Sequence, residues 1–232
     1  MPLRLYVVPA SHPCAAVEEA LKLKGLDYKV TELPPGLHAA HQRIRFGRRT
    51  VPSLKADGRK ISGSREIMRW AEEQRPEPSL WPSPEVVLAE EWGEEVLQPL
   101  VRRVVWWSLR KRPDAMPSYL AKSKLPVPGC AARLSGPATS MVEWRLNGVS
   151  EEAVKADVNV LPEHLQKIAG WMEEGVLGGE RPNAADLQIG ASVALLRTIG
   201  DLRPLIDASP AAQLAHRWFA DYPGSLPPGT LS

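Results

Sequence analysis

Between a basic run, Arg43 to Arg49, and a short alternating segment that ends at Asp57-Gly58 lies Thr50-Val51-Pro52-Ser53-Leu54. A proline at this place limits what the chain can build. It has no N–H for a sheet ladder, so Pro52 is confined to a strand start, an edge or a bulge. A trans Val51–Pro52 bond would open an ordinary strand. A cis bond would turn the chain sharply and leave the Val51 main-chain N–H and C=O unpaired. Only about 5–6% of X–Pro bonds in folded proteins are cis, so spacing alone favours trans. The flanking segments reverse that preference.

Residues 3–8 read as a buried strand. Ala10 to Cys14 read as a turn, with Pro13 near a first helical position where a missing N–H does no harm. Ala15 to Lys24 is helical, with Val17, Ala20 and Leu21 on one stripe and Glu18, Glu19 and Lys22 on the other. Gly25 closes the helix. Tyr28 to Thr31 is a second strand, which completes a parallel βαβ unit. A helical segment from His38 to Phe46 follows. Then come a strand at Ser53 to Ala56, a turn at Asp57-Gly58 and a return strand at Arg59 to Ile61. Ser64 is read as the cap of a helix whose apolar side is Ile67, Met68, Trp70 and Ala71. The order βαβ then ββα, with a mixed four-stranded sheet, is that of a thioredoxin-like α/β domain, placed at 1–76.

Four prolines between Gln74 and Glu85 mark a stiff connector, with the domain boundary at 77–85. Beyond it no strand alternation is seen, and 86–232 is read as all-α. Val86 to Leu109 is expected as one long helix, kinked or broken at Pro99. Residues 111–137, rich in Pro, Gly and Lys, are expected to be an irregular insertion. Helices follow at about 138–156, 160–175, 184–199 and 209–220.

The 232 residues carry 29 Lys+Arg against 27 Asp+Glu, a net charge of +2, which argues against a general nucleic-acid binder. The two cysteines, Cys14 and Cys130, form neither a disulfide framework nor a zinc pattern and suit a reducing cytosol. The first residues lack the apolar run of a signal peptide, and no apolar run reaches the roughly 20 residues of a membrane span. The expectation is a cytoplasmic protein with no membrane and no nucleic-acid partner.

An α/β domain of this order, a proline connector and an all-helical domain resemble the cytosolic glutathione transferase family, in its serine-type bacterial form. Four motifs carry the resemblance. Ser11-His12-Pro13-Cys14 is similar to the family's Ser-x-Pro-Cys. Thr50-Val51-Pro52 is similar to its Ile/Val-Pro, where the proline is cis and the preceding backbone pairs with the cysteinyl part of glutathione. Gly63-Ser64-Arg65-Glu66-Ile67 is similar to its Glu-Ser-Arg-Ala-Ile. Asn183-Ala184-Ala185-Asp186 is similar to the capping box of its buried helix.

The resemblance implies glutathione as co-substrate, a small hydrophobic electrophile as partner substrate, a homodimer and no metal. Ser11 is the expected catalytic residue. Its hydroxyl, at a helix N-terminus, would hold the thiol sulfur as thiolate by hydrogen bonding; the alternative is a plain N-cap. Thr50, Val51, Pro52, Ser64, Arg65 and Arg49 are the expected glutathione contacts. His12, Trp106, Trp107 and Arg110 are assigned to the electrophile pocket, and 111–137 to part of a lid. Tyr6 is read as a packed ring. His38 and His41 lack a third ligand for a metal site and are read as surface or pocket-lining residues. Cys130 is read as a loop thiol without a role. Position 63 departs from the family, which has an acidic residue there for the ligand's α-amino group. Two other functions stay open: a thiol-disulfide reductase working through Cys14, and a non-catalytic binding protein.

Overall fold

The computed structural model describes the backbone of residues 3–125 and 129–232, and side chains among them outside 129–136. Strand β1 (Leu3–Val7) leads into α1 (His12–Leu23) and β2 (Tyr28–Glu32). Helix α2 (His38–Phe46) precedes β3 (Ser53–Ala56), β4 (Arg59–Ser62) and α3 (Ser64–Gln74). The sheet order is β2-β1-β3-β4, with β1 parallel to β2 and antiparallel to β3, so the sheet is mixed and thioredoxin-like. Leu5 lies opposite both Val30 and Leu54, and alternation along β1 sends Leu5 and Val7 into the main core. Tyr6, on the other face, packs edge-on against Phe46 with ring centroids 5.1 Å apart. Helix α1 begins three residues earlier than expected, which places His12, Pro13 and Cys14 in its first turn.

The connector is anchored from below. Lys24, 2% exposed at the end of α1, donates to the carbonyls of Pro76 and Pro78 and pairs with Glu72. Beyond the connector every regular element among the described residues is helical. The expected break at Pro99 takes a specific form. Helix α4 (Pro84–Trp92) widens into a π turn at Gly93–Leu97 and continues as α5 (Gln98–Lys111). A proline ring clashes with the carbonyl four residues back in a regular helix, and the wider turn just before Pro99 accommodates it. Gly93 also lets this turn approach the neighbouring helix, because a Cβ there would lie 3.0 Å from Ile189 Cγ1.

The part of 111–137 that is described is more regular than expected. It includes a 3₁₀ turn at Pro113–Ala115, α6 (Met116–Tyr119) and the start of α7 (Gly129–Leu146). The Cys130 side chain lies outside the described residues. The helix expected at 138–156 is instead divided at Asn147-Gly148, where Gly148 takes φ +61°. Ser150 then caps α8 (Glu151–Glu173) by accepting from the Ala153 N–H at 3.1 Å, and α8 runs on through Pro162.

Helix α9 (Ala184–Arg197) is the centre of the molecule, packed against α1, α4, α5 and α11 (Ala212–Phe219), with α10 (Arg203–Asp207) beside it. Its expected capping box is present. Asn183 Oδ1 accepts from the Asp186 N–H at 2.9 Å, and Asp186 Oδ2 accepts from the Asn183 N–H at 3.0 Å. Asp186 Oδ1 also takes the Gly178 N–H at 2.7 Å. No described helix is long and apolar enough to cross a membrane.

Candidate active site

Ser11 is the N-cap of α1, in extended backbone, yet its side chain makes no capping hydrogen bond. The hydroxyl is therefore free of the structural task that would otherwise explain it. It sits at the positive end of a twelve-residue helix, on the wall of a largely apolar cavity of about 300 Å³. The same cavity is lined by Arg49, Thr50 and Val51. The Val51–Pro52 bond is cis, as the family resemblance implies. Pro52 O takes the Gly63 N–H at 3.0 Å, whereas the Val51 N–H and C=O have no hydrogen-bond partner among the described residues. Two segments 40 residues apart thus meet across one opening, one offering a hydroxyl and the other bare main chain.

Arg49 is the member of the basic run that reaches this cavity, at its exposed rim. Arg45 lies over the Tyr6 ring, 5.9 Å from its centroid, and Arg48 lines a separate surface groove.

Ser64 and Arg65 are not on the cavity wall. Gly63, not Ser64, is the N-cap of α3, with φ +109°. The Ser64 hydroxyl is buried and accepts from Gln188 Nε2 at 3.0 Å. Arg65 Nε bonds Glu90 Oε2 at 2.9 Å and lies 3.0 Å from Glu94 Oε2. Burial works against that guanidinium's charge, but Glu90 and Glu94 raise its pKa above the ordinary value. Both side chains are engaged by the helical half of the chain, which sequence spacing does not reveal. At Gly63 an added Cβ would meet the carboxylate of Glu66, so an exposed acid occupies the space beside the position that lacks one.

His12 lines the cavity but is 3% exposed. Ser192 Oγ gives its only proton to Gln188 O at 2.8 Å, so His12 Nδ1–H must be the donor to Ser192 Oγ at 3.0 Å. Nε2 is then a buried acceptor without a partner among the described residues. Burial, aided by Arg102, holds the ring's pKa well below the usual histidine range, so it is neutral.

Cys14 is 2% exposed, and burial pushes its thiol up to about 12, with a hydrogen bond to Ser11 acting the other way. A thiol this protonated and enclosed is a poor nucleophile, so the geometry favours packing over redox chemistry.

On α5 the cavity is lined by Arg102, Val105, Trp106 and Leu109, which follow the i, i+3, i+4, i+7 spacing of one helical face. Trp106 was expected there. Trp107 and Arg110 were also expected and are not, because they fall on another face of the same helix. The Trp107 ring takes Lys111 Nζ at 5.3 Å from its centroid, and Arg110 stacks over Trp144 at 4.2 Å. Met116, Tyr119 and Leu120 close part of the cavity, consistent with a covering role for the segment after α5.

Sequence reasoning missed Arg102 and Glu143, whereas His38, read as a surface or pocket-lining residue, lines the cavity. Glu143, from α7, takes the Gly36 N–H at 3.1 Å and lies 3.4 Å from His38 Nδ1. Burial raises the Glu143 pKa and lowers that of His38 to about 4. Continuing the α5 stripe back from Trp106 by four residues would have found Arg102; nothing local signals Glu143. Among the described residues no group of three or more His, Cys, Asp or Glu side chains could hold a metal ion.

Residues 5–79 match the glutathione S-transferase N-terminal domain. Solved structures agree along nearly the whole chain. A glutathione S-transferase from Rhodospirillum rubrum F11 is 23% identical, with a TM-score of 0.61, covering 94% of this chain and 86% of its own. One from Methylobacterium radiotolerans JCM 2831, in complex with glutathione sulfonate, is 21% identical, with a TM-score of 0.58, covering 98% and 95%. The beta-etherase LigF of Sphingobium sp. strain SYK-6 is 18% identical, with a TM-score of 0.62, covering 94% and 100%. No curated protein matches the chain significantly. The chain carries the N-terminal domain of the glutathione S-transferase family and has that family's fold over its length.

Proposed function

We propose that this protein is a glutathione-dependent transferase that conjugates glutathione, or a related low-molecular-weight thiol, to a small hydrophobic electrophile. The observation that carries this reading is the single cavity shared by the Ser11 hydroxyl, which caps no helix N–H, the unpaired Val51 main chain and the Trp106 ring. The complex of the Methylobacterium neighbour with glutathione sulfonate supports the choice of thiol.

The cysteinyl main chain of the thiol pairs with Val51, and Arg49 at the rim attracts a terminal carboxylate. Glu66, beside Gly63, is the acid available for the α-amino group. Ser11 donates to the sulfur as the thiol proton leaves to water. The thiolate then attacks an electrophilic carbon: a C–S bond forms, the bond to the leaving group breaks, and that group departs with the electron pair. Attack on an aryl ether instead of an aryl halide would expel a phenolate, an ether-cleaving variant suggested by the likeness to a beta-etherase. The electrophile's apolar body packs against Val105, Trp106, Leu109 and Met116.

The reading includes a cytoplasmic homodimer, with the α/β face of one chain against the helical face of the other. Light scattering should give twice the chain mass. The direct test is the rate of thiol conjugation to an activated aryl halide. Ser11→Ala should lower kcat/KM about 100-fold, the usual effect of losing one donor to a developing or resident anion. Equal rates would remove Ser11 from the mechanism.

A further inference from the structure

We propose that Arg102 is a second catalytic residue of this site, whose guanidinium binds the ionised sulfur of the thiol substrate alongside the Ser11 hydroxyl. This rests on the thiol-transfer reading above. Arg102 lines the same cavity as Ser11 and His12. Its hydrogen bond among the described residues runs from Nη2 to Gln98 Oε1 at 2.6 Å, and no carboxylate forms an ion pair with it. That bond is the end of a buried relay. Gln98 Nε2 donates to Gln188 Oε1 at 2.8 Å, and Gln188 Nε2 donates to Ser64 Oγ at 3.0 Å. The relay fixes one edge of the guanidinium and leaves the cation with no carboxylate in ion-pair contact among the described residues.

The other ionisable groups nearby do not supply one. Glu94 raises the Arg102 pKa through its charge, but its contact is with Arg65 at 3.0 Å. Glu143 is engaged by Gly36 and Asn147, and burial favours its neutral form. His12 and His38 are held neutral by burial, and Arg49 lies at the exposed rim. Burial also presses the Arg102 pKa down, and the charge of Glu94 offsets only part of that. Its field reaches both neighbours of Ser11 in the first turn of α1, lowering the His12 pKa and opposing the rise at Cys14. A ligand thiol in front of Ser11 would feel the same pull. An apolar cavity strips water from a thiolate, and a hydroxyl alone replaces little of that solvation, whereas a cation replaces much of it. The S–H bond breaks, the proton passes to water, and the sulfur keeps the electron pair beside Arg102.

The test is the titration of protein-bound glutathione, read from the ultraviolet absorbance of its thiolate, with affinity measured in parallel by calorimetry. Arg102→Met should raise the pH of thiol ionisation by about one unit, a tenfold loss of thiolate at fixed pH. Affinity measured below that pH should hold within about threefold, since the thiol is then uncharged. Arg102→Lys should keep most of the wild-type titration. Arg102→Gln, which still reaches Gln98, serves if the methionine variant does not fold. Bound glutathione that titrates alike in wild type and the Met or Gln variant overturns this inference alone. A wild-type protein that binds no thiol overturns the transfer reading and this inference with it.

Discussion

The two halves of the cavity are built by different means. On the α/β side the groups that face a ligand are backbone and backbone-placed: the Val51 main chain, the first turn of α1, and a hydroxyl fixed by its place at a strand–helix junction. On the helical side they are side chains alone, projected from one face of α5 and from α6 and α7. Backbone sites tolerate sequence change so long as the turn survives. Side-chain walls depend on each residue and on how the helix beneath them is held. The first half therefore suits a constant partner such as a thiol, and the second a variable one.

The strongest way to break that contrast is to loosen the helical side from below. Asp186 is fully buried and takes two main-chain N–H groups while completing the cap of α9. Asp186→Ala should cost about 3 kcal/mol, from a lost cap and stranded donors. Chemical denaturation would measure it, and an unchanged midpoint would refute it. A sharper comparison sets Trp106 against Trp107, neighbours that face different surroundings. Trp106→Ala should raise the electrophile's KM about tenfold, roughly 1.4 kcal/mol, while Trp107→Ala should leave KM alone. Equal effects would mean the cavity wall is misplaced.

The α/β half was largely legible before any coordinates because its signals are local. Pro52, Gly25, Asp57-Gly58 and the β1 alternation each dictate backbone geometry within a few residues. The capping box at Asn183 and Asp186 was legible for the same reason. The helical half hid its chemistry because helical periodicity shows that a face exists without showing what it meets. Trp107 and Arg110 looked as suited to the pocket as Trp106, and Arg102 drew no assignment. The side-chain partners of Ser64 and Arg65 were hidden for a related cause: Gln188 and Glu90 lie 124 and 25 residues away.

A subtler probe uses pH. His38 titrates at about 4 in the folded protein against an ordinary 6.5, because burial disfavours its charge. Between those values the unfolded chain takes up the proton and the folded one does not. The contribution of neutral His38 is therefore complete above pH 6.5 and is lost as pH falls toward 4. Unfolding free energy should fall less steeply over that window in His38→Leu than in wild type; parallel curves would contradict the assignment. The smallest expected effect is at Cys14. Cys14→Ala should remove about 1 kcal/mol of packing and leave the conjugation rate unchanged. A lost reaction there would restore the redox alternative.

The central claim is that the Ser11 hydroxyl and the unpaired Val51 main chain receive a small thiol. Calorimetric titration of the wild-type protein with glutathione, with other low-molecular-weight thiols alongside, tests it most directly. The account predicts saturable heat with at least one of them at one site per chain. Absence of heat with every thiol would contradict it and leave a binding protein that kept the fold without the chemistry.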